Sequence, residues 1–283
     1  VTGSGTSTSP YEVNTTEVDG DVTNELQNLA EVLTKSNDAG NLAITNLANP
    51  IAATDAVTKA YVDVLLEQIL ELQIVTGVRV KDIDDNVYKT ITIGTQTWML
   101  ENLKTTRYND GTVIPLVTDG TAWQTASTNT SPGYCWYNAP NETSNLITYG
   151  ALYNWYAIDP LTNGNKNVCP TGWHVPTDGE WDILRDHLDP AVNAVNAANG
   201  NTNIAGGKMK EAGLAHWITP NTGATNESGF AGLPGGFRDN DGPFNGFGSY
   251  GFWWSSTEFN TTSAWYRLLF NLHGDVGMYS SNK

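Results

Sequence analysis

Residues 169–181, CPTGWHVPTDGEW, place Cys169, His174, Asp178 and Glu180 within one short stretch, all of them side chains that ligate metals or move protons. Local helix chemistry accounts for the carboxylates. Thr177 and Glu180 form the T-x-x-E pattern of a capping box, in which hydroxyl and carboxylate satisfy the first N–H groups of a helix. Asp178 falls in that first turn, where the helix dipole favours an acid. Trp181, Leu184 and Leu188 then recur at helical spacing, and Asp189-Pro190 ends the run. Cys-x4-His matches no common zinc spacing, and no second Cys/His pair follows at zinc-finger distance. The stretch therefore reads as the entry of a packed helix, with Cys169, Trp173, Thr177, Glu180 and Trp181 in structural roles.

Composition narrows the rest. The 283 residues carry 14 basic and 30 acidic side chains, a net charge of −16. Such a surface repels phosphate backbones and anionic lipid, so neither nucleic acid nor membrane insertion is expected. No apolar run approaches the roughly 20 residues that span a bilayer. The opening VTGSGTSTSP lacks both Met and a signal-peptide pattern, as in a mature product or a fragment. All ten Trp lie at or beyond Trp98, whereas residues 1–76 have only Tyr11 and Tyr61 as aromatics. That segment holds 11 acids and 2 bases, a net of −9, and too little apolar bulk for its own core.

It can find a core in copies of itself. Val62, Leu65, Ile69 and Leu72 recur at spacings of 3, 4 and 3, the seam of a coiled coil, widened by Val57, Tyr61 and Val64. Val22, Leu26, Leu29 and Leu33 repeat the pattern in VTNELQNLAEVL. The expectation is a linker or fibre end over 1–20 and an α-helical stalk over 21–76, with helices at 21–35 and 54–76 around an extended stretch at 37–53. Between them, NLAITNLANPIAATDAVTKAYVD (41–63) resembles a segment of trimeric phage and injection-machine tail fibres. The match runs through Asn46, Pro50, Asp55, Ala56, Lys59, Tyr61 and Val62. It implies a homotrimeric stalk joined to an upstream fibre or tail component, with a head at its C-terminal end.

The head is expected over 77–283. VRVKDIDDNVYKTITIGTQTWML reads as strand, turn and strand, and Tyr149, Leu152, Tyr153 and Tyr156 stand at i, i+3, i+4 and i+7, one face of a short helix. ITIGTQTWMLENL, YCWYN, YGALYNWYA, CPTGWHVPTDGEWDIL, GGKMKEAG, HWITPNTGATNESGFAGLPGGFR, GSYGFWWSST and AWYRLLF follow in order. Together they resemble the Fibrobacter succinogenes major paralogous domain, a family similar to C-type-lectin-like folds and distantly to formylglycine-generating enzymes. The resemblance implies a secreted or surface-displayed α+β domain of two helices on small antiparallel sheets. It also implies a last strand beyond Lys283, whose cysteine would partner Cys169; without it, Cys169 has Cys135 or nothing.

No enzyme is expected. Formylglycine-generating enzymes, which the resemblance touches, use a reactive cysteine pair that this C-terminal region lacks. Cys135 sits in an aromatic strand context, and neither G-x-S-x-G nor H-E-x-x-H occurs. Ala205-Gly206-Gly207-Lys208 reads as a turn before a helix, and His174, His187, His216 and His273 are scattered.

Binding is the stronger expectation, on the loops of residues 235–251 and the run from Arg267 to Tyr279. Alternation in LLFNLHGDV turns Leu269, Asn271 and His273 to the side opposite Leu268, Phe270 and Leu272. Asn271, His273, Asp275 and Tyr279, with Asn240, Phe244 and Tyr250, are the expected solvent-facing contacts to a surface glycan or protein receptor. Trp253, Trp254 and Trp265 are expected in the core. Asp239 and Asp241, before Gly242, are candidate calcium ligands, although Asp-Asn-Asp-Gly is equally a turn; the same holds for Asp82, Asp84, Asp85 and Asn86. The expected protein is an extracellular adhesin-like trimeric fibre, on a virion, an injection system or a bacterial surface, with a purely structural filament as the alternative.

Overall fold

A computed structural model describes residues 50–51, 57–191 and 203–283. The helix expected at 21–35, with Leu26 and Leu29, and nearly all of the extended stretch 37–53 lie outside these residues. The chain divides into two units, Val1–Leu66 and Glu67–Lys283. Helix α1, Lys59–Val75, falls in the second expected helical stretch. The Thr58 hydroxyl accepts the Tyr61 N–H at 3.1 Å, and Lys59 pairs with Asp63 one turn on. Gly77 ends the helix at φ 74°, while the Val78 N–H returns to the Gln73 carbonyl at 2.9 Å. No residue of α1 is buried, and Val62, Leu65, Ile69 and Leu72 are 37%, 40%, 52% and 63% exposed.

The second unit is mixed α+β, with few helices and small antiparallel sheets. β1 (Arg79–Lys81), β2 (Val87–Ile93) and β3 (Gln96–Met99) form the first sheet in the order β1-β2-β3. Its first turn is built on Asp82, whose carboxylate accepts the Asp84 and Asn86 N–H groups, both at 2.9 Å, and the Tyr88 hydroxyl at 2.6 Å. Helix α2 (Gly120–Thr128) is capped by Asp119, which accepts the Ala122 N–H at 2.8 Å. β4 (Tyr134–Cys135), α3 (Ser144–Tyr149), β5 (Leu152–Tyr153), a 3-10 turn (Trp155–Ala157) and α4 (Pro160–Asn163) follow.

The helix expected through Tyr149, Leu152, Tyr153 and Tyr156 does not form. Gly150 stops α3 at φ 78°, and its backbone lies so close to Asn102 that an added Cβ would be 2.6 Å from the Asn102 Cβ. Leu152–Tyr153 instead pairs with Tyr134–Cys135 as β5 against β4. Tertiary strand pairing overrides a helical period of only two turns.

Helix α5, Asp178–Leu188, carries the capping box read from Thr177 and Glu180. Its Trp181, Leu184 and Leu188 enter the main buried cluster beside Trp98, Trp217, Phe230, Leu269 and Val276. Helix α6, Ala205–Met209, contains the Gly-Gly pair that was expected to precede a helix. A Cβ on Gly206 would lie 1.9 Å from the Asp275 carbonyl oxygen, so backbone-to-backbone packing requires glycine there.

β6 (Phe237–Arg238) and β7 (Phe244–Asn245) make a small hairpin. β8 (Tyr250–Asn260), β9 (Ser263–Phe270) and β10 (Val276–Asn282) form the last sheet in the order β10-β9-β8. Arg267 of β9, 2% exposed, ties this sheet to the start of α5: its guanidinium donates to Asp178 Oδ1 at 2.5 Å and to Asp182 Oδ1 at 3.0 Å. Lys210, fully buried, holds the turn after β9 by donating to the carbonyls of Thr222, Phe270 and His273 at 2.8, 3.0 and 2.7 Å. Burial pushes its ammonium down to about 8, against a smaller opposing pull from Asp275.

Candidate ligand-binding site

The turn that joins β9 to β10 contains three of the expected contact residues, and it divides them. Asn271 is 3% exposed, and its amide donates to the Thr219 carbonyl at 3.0 Å. Asp275 is 9% exposed, and burial raises its carboxyl. These two are therefore parts of the scaffold, not solvent-facing contacts. The alternation runs opposite to the expectation: Leu269 and Asn271 turn inward, and the strand ends at Phe270, before His273. His273 is exposed in the turn, with Nδ1 3.6 Å from Asp275, and Tyr279 is exposed on β10.

The β6–β7 hairpin divides its residues in the same way. Asp239 to Gly242 is its turn: the Asp239 N–H reaches the Pro243 carbonyl at 2.9 Å, and the Gly242 N–H reaches the Asp239 carbonyl at 3.0 Å. The Asp239 carboxylate accepts the Asn245 amide at 2.7 Å. No group of three or more His, Cys, Asp or Glu side chains placed to hold a metal ion occurs among the described residues. Asp82 serves its own turn, and Asp84 ties that turn to a distant segment, accepting the Thr106 N–H at 2.6 Å and its hydroxyl at 2.9 Å. Phe244 packs under the Arg238 guanidinium, 4.6 Å from its ring centre, so it is a packing residue. Asn240 is exposed at the turn.

The other expected contact, Tyr250, leads to a face that the loop reading missed. Register pairs Tyr250 with Phe270, Phe252 with Leu268, Trp254 with Tyr266 and Tyr266 with Tyr279, so these side chains share one side of the sheet. Their rings form a continuous run: Tyr250 stacks on Phe270 at 4.5 Å, Phe252 meets Tyr266 at 5.2 Å, and Tyr266 meets Tyr279 at 6.0 Å. Trp253, on the opposite side, packs against the main cluster and donates its indole N–H to Asn102 at 2.8 Å. Trp254 is thus not a core residue like its neighbour. Trp265 is also only half-buried, held edge-on by the exposed ring of Phe259 at 4.6 Å.

A cavity of about 620 Å³ is lined by Phe252, Trp254 and Tyr266 of this face, by Asn240 and His174, and by Trp98 and Trp181 of the main cluster. This volume lies within the range of small-molecule sites, roughly 300–1,000 Å³. His174 Nε2 stands 2.9 Å from Glu180 Oε1, and the two also line the cavity. Burial would raise the Glu180 carboxyl, but the Thr177 N–H and hydroxyl and the His174 ring together hold it below the usual range. Cys135 and Cys169 are free thiols in separate clusters, pushed up by burial to about 11 and about 12. Neither is a thiolate at neutral pH. Trp173 packs against the cluster that holds Cys169.

A family model, the Fibrobacter succinogenes major domain, matches residues 91–281. The chain belongs to this family. No curated protein and no solved structure matches it. Within this Fibrobacter succinogenes major domain the matched residues include the capping box, the main cluster, the cavity lining apart from Asn282 and Lys283, and all but the last residue of β10. The aromatic face was within reach of the sequence: Tyr250, Phe252 and Trp254 alternate in YGFWW, and Tyr266, Leu268 and Phe270 alternate in YRLLF. The cavity was not, because its walls come from segments more than a hundred residues apart.

Proposed function

We propose that the protein is a receptor-binding or adhesin-type fibre component. In this reading a lectin-like head, carried on a homotrimeric α-helical stalk, recognises a glycan or protein on a target surface outside the cell, and it does no catalysis. The observation that carries the reading is the aromatic sheet face running into a cavity of about 620 Å³ with amide, imidazole and carboxylate groups on its lining. Rigid aromatic rings with a few placed polar groups are what recognition sites offer, whereas the thiols here are buried and protonated. The exposed stripe of Val62, Leu65, Ile69 and Leu72 supports the stalk, since apolar residues at that spacing are stabilised by a partner helix.

Two measurements on the full chain test this reading. Sedimentation should give a trimer that Leu65→Asp with Ile69→Asp dissociates, because three charges per layer would be buried without partners. Attachment of the labelled chain to cells of a target panel should be saturable and should fall with Tyr266→Ala. A monomeric wild-type chain would remove the stalk, and attachment indifferent to Tyr266→Ala would remove the site.

A further inference from the structure

A strand sends successive side chains to opposite faces of its sheet, so a cavity that meets every residue of a strand in turn runs along its edge. The cavity does this at β3, where residues 96–103 line it without a break. The sheet order β1-β2-β3 leaves that edge without a neighbouring strand. Hydrogen bonding tells which groups the edge presents. The Leu100 N–H reaches the Lys89 carbonyl at 2.9 Å, so Leu100, Trp98 and Gln96, two residues apart, bond toward β2. Thr97 and Met99 fall between them, and their N–H and C=O groups point away from β2. No hydrogen bond reaches those groups among the described residues, and neither residue is buried. We propose that an extended, uncharged peptide segment of the receptor lies in the cavity as a fourth strand beside β3, held by the backbone groups of Thr97 and Met99; this rests on the receptor-binding reading above.

An extended peptide presents donors and acceptors at the same two-residue repeat as the edge, about 6.6 Å. Open edges are commonly blunted by lysine, proline or a bulge. β3 reads Gln-Thr-Trp-Met, with none of these residues, and pairs with β2 without a register shift. Charge narrows the guest. Glu101, His174, Glu180, Arg238, Asp239 and Lys283 line the cavity, and each already has a partner in the chain. Glu101 accepts the Lys89 N–H at 2.7 Å, Glu180 faces His174, and Asp239 accepts the Asn245 amide at 2.7 Å. Arg238 donates to the carbonyls of Gly242, Val117 and Thr118 at 2.8, 2.7 and 2.9 Å, and Lys283 pairs with Glu258. A charged guest would find no unpaired counter-charge, whereas an uncharged backbone needs none. Phe252, Trp254 and Tyr266, which share one face of the last sheet, give apolar side chains of the segment a wall to pack on.

The test selects binders to the full chain from a displayed library of random heptapeptides. Each selected peptide is then synthesised with one N-methyl group at every position in turn, which removes a donor and changes no side chain. The expected result is that methylation weakens binding about tenfold at alternate positions, the loss of one hydrogen bond, and much less between them. The bound peptide should also slow hydrogen exchange at the Thr97 and Met99 amides. Met99→Pro removes one outward donor and keeps the bonds to β2, so it should weaken binding by a similar factor. The methylated peptides leave the protein unaltered and decide the matter if Met99→Pro does not fold. Peptides that tolerate methylation at every position, or that leave exchange at Thr97 and Met99 unchanged, overturn the assignment. So does a library that yields no binder. If Met99→Pro changes the oligomeric state of the chain by itself, the edge pairs with a second copy and the receptor peptide is overturned. In each of these cases, attachment to target cells that still falls with Tyr266→Ala leaves the receptor reading standing alone; without such attachment, both fail.

Discussion

Replacing Arg267 with Met tests how the last sheet is fastened to the helix entered at CPTGWHVPTDGEW. Arg267 is 2% exposed, and its guanidinium donates to Asp178 Oδ1, to the Asp178 carbonyl at 3.2 Å and to Asp182 Oδ1 at 3.0 Å. Removing one partner of a fully buried pair costs about 3–5 kcal/mol, because the other charge is left stranded. Here the stranded acids are better placed. Asp178 and Asp182 are 21% and 36% exposed, Asp182 keeps Arg185 at 2.7 Å, and Asp178 stays in the first turn of a helix. The expected loss is therefore at the lower end, about 2–3 kcal/mol. Urea unfolding followed by tryptophan fluorescence would measure it, with Asp178→Asn and the double variant completing a cycle. A coupling of about 1 kcal/mol or more between the two positions is expected. A loss under about 0.5 kcal/mol, or strict additivity, would show that Arg267 acts by its aliphatic packing alone and refute the reasoning.

Three further outcomes follow from burial and bonding. Asp84, although burial opposes it, is held below the usual carboxylate range by the Thr106 N–H, the Thr106 and Thr105 hydroxyls and Arg107. Its stabilisation is complete above the unfolded value near about 4 and disappears as pH falls through the lower folded value. Denaturation midpoints of Asp84→Asn and wild type should therefore differ at pH 7 and converge in strong acid. Trp253 and Trp265 are both half-buried, but Trp253 packs on the main cluster and bonds Asn102, so Trp253→Ala should destabilise by about 3 kcal/mol and Trp265→Ala, which loses only the exposed Phe259 ring, by much less; equal losses would contradict the two environments. Asn271→Ala should cost about 1–3 kcal/mol by stranding the Thr219 carbonyl, whereas His273→Ala should stay within about 0.5 kcal/mol, both read by thermal melts.

What the sequence determined by itself is what neighbours in the chain decide. The capping box at Thr177 and Glu180, the stripe Trp181, Leu184 and Leu188, the stop at Asp189 and the Asp82–Asn86 turn are local hydrogen-bond or periodicity problems, legible within one or two turns. The helix through Leu65 and Ile69 is likewise a matter of spacing. Tertiary structure decided the rest. Tyr149 to Tyr156 satisfies a helical period, but a β partner 18 residues upstream takes Leu152–Tyr153 away from it. Asn271 and Asp275 have the polar groups of ligand contacts, yet the Thr219 carbonyl holds the Asn271 amide inward and Asp275 is buried where its backbone packs on Gly206. Trp253 and Trp254 are chemically alike and adjacent, and only the direction of the pleat sends Trp253 against the main cluster and Trp254 to the opposite side of the sheet, beside Tyr266. Local propensity is set by atoms a few bonds apart; burial and a binding cavity are set by which distant surfaces exclude water together.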